Sequence, residues 1–178
     1  VAEVVARVGY GLGDPPLLEL DPEIEYLYKP SRTYHYMHHT VAINSHSMRS
    51  AEFAAKKTDP HELRVLVIGD SIVTGGGRID QGELATERLR HALARELGTP
   101  VVVGNVACGS WGPPNQLAFV KKFGLFDANI VLIVLNSGDA DDVPGLEALG
   151  AAWPQSTPVL AVQEPLRRVL ERAAPRSI

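Results

Sequence analysis

Apolar and polar positions fall into two rhythms along the chain. From residue 63 onward, unbroken apolar runs alternate with segments of helical spacing. Val65-Leu66-Val67-Ile68, Val101-Val102-Val103 and Ile130 to Leu135 (IVLIVL) read as strands buried on both faces, the pattern of a parallel sheet. Apolar residues at 84, 85, 89, 92, 93 and 97, with charges between them, predict an amphipathic helix over Leu84 to Leu97, stopped at Gly98. Pro113-Pro114 open a second helix near Asn115 to Phe123, because proline is tolerated in a first turn, and Gly124 ends it. Pro144 to Pro158 reads as loop. Val159 to Ala174 reads either as a helix interrupted by Pro165 or as a short strand and then a helix from Pro165, with Arg167, Arg168, Glu171 and Arg172 on its solvated face. Strand, helix, strand, helix, strand with right-handed crossovers predicts an α/β fold around a parallel sheet.

Residues 1–62 have a different pattern, that of an N-terminal arm. Val1 to Tyr10 has helical spacing and predicts a short helix, broken by Gly11 to Pro16. Leu17 to Tyr28, with Pro22 and Pro30, reads as an extended segment. Thr33 to Ile43 (TYHYMHHTVAI) is rich in aromatic and β-branched residues and predicts a strand or hairpin. On a single strand His35 and His39 share a face while His38 points away; no carboxylate or cysteine at ligand spacing joins them, so three surface or half-buried histidines are preferred to a zinc site and no metal is expected. Asn44 to Phe53 reads as a loop, and Lys56 to Glu62 as a polar connector that separates the arm from the α/β body, residues 63–178.

Composition narrows the class without choosing a function. The 178 residues suffice for one domain with a real core, and 45% hydrophobic with 21% charged residues is ordinary globular composition. The net charge of −4 is spread along the chain, with no basic stripe for nucleic acid and no basic amphipathic helix for a membrane surface. Cys108 is the only cysteine, so an internal disulfide is impossible and the compartment stays open. No apolar run reaches the roughly 18 residues of a membrane helix. The chain opens on Val1 without a methionine, and the expectation is that a signal, anchor or domain was removed upstream.

Candidate chemistry gathers where the predicted strands end. Leu63 to Gly77 reads LRVLVIGDSIVTGGG: a buried strand stops at Gly69-Asp70-Ser71 and turns through small residues. A serine there lies where open α/β sheets keep their ligands, which makes Ser71 a candidate nucleophile; a turn in which Asp70 and Ser71 merely cap the next helix is the alternative. Parallel strands all point one way, so the loops at Ser71, at Asn105 to Gly112 and at Asn136 to Asp142 converge on one edge. Such loops can aim backbone N–H groups at an oxyanion or a phosphate. A P-loop is excluded because Gly75-Gly76-Gly77 runs into Arg78-Ile79; no GxGxxG comes after a strand, and no GxSxG elbow is present.

Three blocks in order, VLVIGDSIVTG, GNVACGSWGPPNQL and VLIVLNSGDADD, resemble the SGNH/GDSL hydrolase family. GLGDPPLLELDPEIEYLYKP and INSHSMRS resemble the leader that precedes this domain in a bacterial, often membrane-tethered branch, which favours an extracytoplasmic location over the cytoplasm. The resemblance implies a three-layer α/β/α sandwich with a flavodoxin-like parallel sheet, no cofactor, and a serine esterase or acyl transferase acting on a small acyl ester or carbohydrate ester. It implies that Ser71 is the nucleophile and that its N–H joins an oxyanion hole. Ser110 stands at the family's glycine, with Gly109 just before it, and Gly138 stands where the family has an asparagine side chain. Asp70, Asn105, Asn136 and Asp139 are the supporting residues.

The family's final block, an Asp-x-x-His pair, has no counterpart, since there is no histidine after His91. A partial sequence, incomplete at the C-terminal end of the domain, a base from elsewhere, and lost catalysis are the three accounts, and the catalytic His and Asp are unassigned. His46 is the best of a poor set of substitutes; His61 reads as connector and His91 as helix surface. The alternatives to an enzyme are a non-catalytic relative binding a glycan or a partner protein, and a flavodoxin-like nucleotide or flavin binder. Three parallel strands also leave a sheet edge to be covered by the arm, by the last helix or by another subunit, so a homo-oligomer is a candidate state.

Overall fold

The computed structural model describes residues 1–139, 142–145, 149–150 and 153–173, and the side chains of 167, 168 and 171–173 are not among what is described. The parts of the acidic loop at Ala140 and Asp141, and the expected solvated face of Arg167, Arg168, Glu171 and Arg172, lie outside it. The arm begins with α1 (Ala2–Val4), continued by a π-helical turn over Val5–Gly9. Next come two antiparallel hairpins, β1 (Leu18–Asp21) with β2 (Glu25–Tyr28), and β3 (Arg32–Tyr36) with β4 (His39–Ile43).

The second hairpin turns on Met37 and His38, both at positive φ (52° and 65°), as a two-residue turn matched to strand twist requires. That turn overturns the single-strand reading of its histidines. His39 pairs with Tyr36 and His35 with Thr40, so His35 and His39 lie on opposite faces. Among the described residues no group of three metal-ligating side chains could hold an ion.

The body is a parallel sheet flanked by helices. β5 (Leu63–Gly69) lies between β6 (Val101–Ala107) and β7 (Ile130–Ile133), paired in parallel from Leu63↔Val101 to Gly69↔Ala107 and from Val65↔Ile130 to Ile68↔Ile133. A central strand is covered on both faces, which is why the sequence of β5 does not alternate. Val65 and Val67 face α3 (Ala85–Leu97) through Leu89, Leu93 and Ala94. Leu66 and Ile68 face the other way, towards Trp111 and Phe119, the latter on α4 (Pro113–Phe123). Both helices fall where the spacing predicts them, and Gly98 closes α3 at φ 64°.

Ile24, Tyr26 and Leu27 of the arm share that second core with Leu66, Ile68 and Val106, so arm and body bury one another. The last helix, α5 (Gln163–Ala173), carries Pro165 in its first turn, and among the described residues no strand lies between β7 and it. Glu164 fastens it to the arm, accepting from the Gly13 N–H at 2.6 Å and the Tyr36 hydroxyl at 2.7 Å.

β7 departs from expectation. Its apolar run forms a strand, but all four residues are exposed. It is an edge strand, paired to β5 alone, and among the described residues nothing packs over its outer side.

Candidate functional site

Register brings the three loops together. Ser71 lies two residues past Gly69, whose partner Ala107 lies three residues before Ser110. Ile68, paired with Ile133, sets Ser71 and Asn136 each three residues beyond one rung of the sheet. With strand order β6-β5-β7, successive connections cover opposite faces, and the crevice opens at the carboxyl ends of β5 and β7.

The turn at Ser71 is tightly specified. A side chain on Gly69 would come within 2.5 Å of Val73 Cγ2, so glycine lets the chain fold back on its strand. Asp70 caps α2 (Ser71–Thr74), its Oδ1 accepting from the Ile72 N–H at 2.8 Å, and Gly75 closes the turn at φ 72°. Ser71 is thus the first helical residue; it is exposed, and its hydroxyl has no hydrogen-bond partner among the described residues. Asp70 does cap the turn, as the alternative reading had it, and the Ser71 hydroxyl takes no part in that cap.

Beneath the turn, fully buried Asn105 donates from Nδ2 to the Val73 carbonyl at 2.8 Å and to Thr86 Oγ1 at 3.2 Å. Its backbone N–H donates to Ser50 Oγ at 2.7 Å. Asn105 therefore ties β6 to the one-turn helix that carries Ser71 and to α3. Its Oδ1 is buried and unpaired.

The third loop closes over the first. Asn136 Nδ2 donates to Asp70 Oδ2 at 2.8 Å and to Asp139 Oδ1 at 2.6 Å, while its own N–H donates to Asp139 Oδ2 at 2.9 Å. Asp70 and Asp139 are both buried. The amide nitrogen of Asn136 is thereby engaged between two carboxylates, and its Oδ1 accepts from the Gly138 N–H at 2.7 Å. In this arrangement Gly138 has no free N–H to offer an oxyanion.

The middle loop carries a local strain. Ser110 has φ 56°, in the left-handed region that favours glycine, and it is exposed. Gly109 lies under the Trp153 ring, where a Cβ would come within 3.1 Å, and its carbonyl accepts from the Tyr26 hydroxyl at 2.7 Å. Glu25, Tyr26, Ser110, Asp142 and Trp153 line a cleft of about 310 Å³ beside it. Cys108, just before, is fully buried, and burial pushes its thiol up to about 12 against hydrogen bonds from the Gly109 N–H and the Tyr28 hydroxyl.

No histidine reaches the crevice by any contact found among the described residues. His46 packs at a tilt against Phe53 and Phe126 (ring centroids 5.3 and 4.8 Å), and its Nε2 sits 2.9 Å from the Phe53 carbonyl. The Phe126 carbonyl accepts from Arg64 at the start of β5, a strand of about 20 Å whose far end carries Ser71. His46 therefore belongs to the opposite end of the sheet. His61 and His91 are exposed, His91 on α3.

Arg49 is the site residue that sequence reasoning passed over. Its guanidinium is buried and donates to the carbonyls of Thr74 (2.9 Å), Ile79 (2.6 Å), Thr40 (3.4 Å) and Gly76, and to Gln81 Oε1 (3.2 Å). Burial lowers its pKa, against the opposing pull of Tyr28 and Asp80. It clamps the glycine-rich segment behind Ser71 against β4. A lone arginine in a serine-rich loop carries no sequence signal for this, because its acceptors, four backbone carbonyls and the Gln81 side chain, meet it only in the finished fold.

Set against models of known protein families and against curated proteins, the chain matches none. Fold and site define a mixed α/β protein whose parallel sheet ends in a crevice of serine, asparagine and aspartate.

Proposed function

We propose that the chain is an SGNH/GDSL-type serine hydrolase, an esterase or acyl transferase acting on a small acyl ester, with carbohydrate esters as the class that its sequence resemblance implies. The observation that carries this reading is the exposed, unpartnered hydroxyl of Ser71 at the carboxyl end of the central strand, on a turn fixed by Gly69, Asp70 and Asn105. In this reading Ser71 Oγ attacks the ester carbonyl, forming the acyl-enzyme and releasing the alcohol. The developing oxyanion is met by N–H groups of Ser71 and Ser110. The left-handed backbone of Ser110 supports its standing at a glycine position of the family, and an N–H survives that exchange. Asp70, Asn136 and Asp139 hold the first and third loops in register, and Asn105 holds the helix. The flavodoxin-like three-layer sandwich belongs to the same proposal; the strand order and the helices flanking the sheet are compatible with it.

A base for Ser71 is missing from the contacts around it among the described residues, and Gly138 is committed to Asn136. Both favour a second reading, a non-catalytic relative that uses the crevice to bind a glycan or partner. Turnover of p-nitrophenyl acetate by the parent chain and by Ser71→Ala separates the two: loss of turnover in the variant supports the hydrolase, and equal rates remove Ser71 from the mechanism.

A further inference from the structure

The loop that carries Ser110 is a β-turn, and its middle peptide is held from the arm. The Trp111 N–H reaches back to the Cys108 carbonyl at 3.5 Å, which makes Gly109 and Ser110 the two central residues. Ser110, and not Gly109, has the positive φ, 56°. That is the pattern of a type II turn, which favours glycine where Ser110 stands. Types I and II differ mainly by a flip of the central peptide, and a type I turn would spare a serine the left-handed conformation. The 109–110 peptide is trans, so its C=O and N–H point opposite ways. In the orientation present, the Gly109 carbonyl accepts from the Tyr26 hydroxyl at 2.7 Å. The Ser110 N–H is thereby turned away from that hydroxyl, and it has no acceptor among the described residues.

Tyr26 is itself firmly anchored. It is buried on β2, and Trp111 Nε1 donates to its carbonyl at 3.0 Å. Asn115, in the first turn of α4, donates from Nδ2 to the carbonyl of Ile24 at 2.6 Å. The Trp153 ring packs against the Tyr26 ring, 5.0 Å between centroids, and against Gly109. Burial pushes the Tyr26 hydroxyl above the usual phenol range, so it keeps its proton and donates.

We propose that Tyr26 is a positioning residue for the oxyanion hole: its hydroxyl, acting through the Gly109 carbonyl, holds the 109–110 peptide in the orientation that presents the Ser110 N–H. This rests on the hydrolase reading above and goes beyond it, because it gives the arm a part in the site. The hold accounts for a serine at φ 56°, since the bond to Tyr26 offsets the strain that a flip would relieve. The same bond polarises the peptide, which makes the Ser110 N–H a stronger donor.

Steady-state kinetics of the full chain on p-nitrophenyl acetate test the hold. Tyr26→Phe removes one oxygen and keeps the ring against Trp153, so circular dichroism should match the parent. The peptide is then released to flip, and losing one hydrogen bond shifts such an equilibrium by up to about tenfold. The expected result is a kcat lower by about tenfold with KM held within about twofold, the mark of an interaction made in the transition state. Glycine takes the left-handed conformation without strain, so combining Tyr26→Phe with Ser110→Gly should recover most of the lost kcat. A general loosening of the loop would not be cured by trimming a second side chain. An active parent whose kcat is unmoved by Tyr26→Phe, or falls without recovery in the double variant, would overturn the role of Tyr26 and leave the hydrolase reading standing. A parent with no turnover that depends on Ser71 would overturn both.

Discussion

Asn136 Nδ2 lies 2.8 Å from Asp70 Oδ2, a direct bond between the loop after β7 and the residue that caps the Ser71 helix. The same nitrogen donates to Asp139 Oδ1, so one amide group bridges two buried carboxylates and pins the two sides of the crevice together. Removing either end frees the loops, at a similar cost. Asp70→Ala loses the helix cap as well as the bridge and should destabilise the chain by about 1–3 kcal/mol in urea unfolding. Asn136→Ala keeps the cap but takes the shared side-chain donor from two buried carboxylates, so it should destabilise by a comparable amount, about 1–3 kcal/mol, and should also slow reaction at Ser71.

Arg49 gives the largest expected stability effect. Arg49→Met removes the donors that satisfy the carbonyls of Thr74, Gly76, Ile79 and Thr40. Buried acceptors left unpaired cost about 1–3 kcal/mol each where water cannot reach them. A total near 3 kcal/mol should lower the thermal midpoint by roughly 6–12 °C in a chain of this size. A midpoint within a degree or two of the parent would show that the clamp is dispensable.

Ser110→Gly separates backbone geometry from side-chain chemistry. Glycine relieves the left-handed strain at φ 56° but enlarges the unfolded ensemble, so the net stability change should stay within about 1 kcal/mol. The N–H remains, so Ser71 reactivity should persist. Loss of reactivity would show that the hydroxyl of Ser110 takes part.

Cys108 sets an alkaline limit on stability. Burial raises its thiol from the ordinary 9.0 to about 12, so the folded chain keeps a proton that the unfolded chain gives up. The stability tied to that difference is intact below pH 9.0 and is lost as pH rises towards about 12. Native protein at pH 8 should therefore resist a thiol reagent that modifies it at once in denaturant. Rapid native modification at that pH would contradict the burial of the thiol.

Local pattern carried much of the architecture. Helical spacing located α3 and α4 within a residue or two, and continuous apolar runs marked β5, β6 and β7 as strands. Whether a strand is covered is another matter: IVLIVL states a demand for burial, and only the tertiary arrangement decides what meets it, so β7 came out bare. His35 and His39 changed faces because a two-residue turn reverses the chain between them. Asp70, Asn105, Asn136 and Asp139 were legible as site residues from their place at strand ends, but their bonds to one another were not. The Arg49 clamp was hidden for the same reason, since its acceptors, backbone groups and the Gln81 side chain, meet it only in the finished fold.

The most direct test of the central claim is covalent labelling of the folded chain with a fluorophosphonate probe, mapped by peptide mass spectrometry. The account predicts a single modified residue, Ser71, with labelling abolished in Ser71→Ala. A folded chain that takes up no probe, or takes it up at another residue, would contradict it.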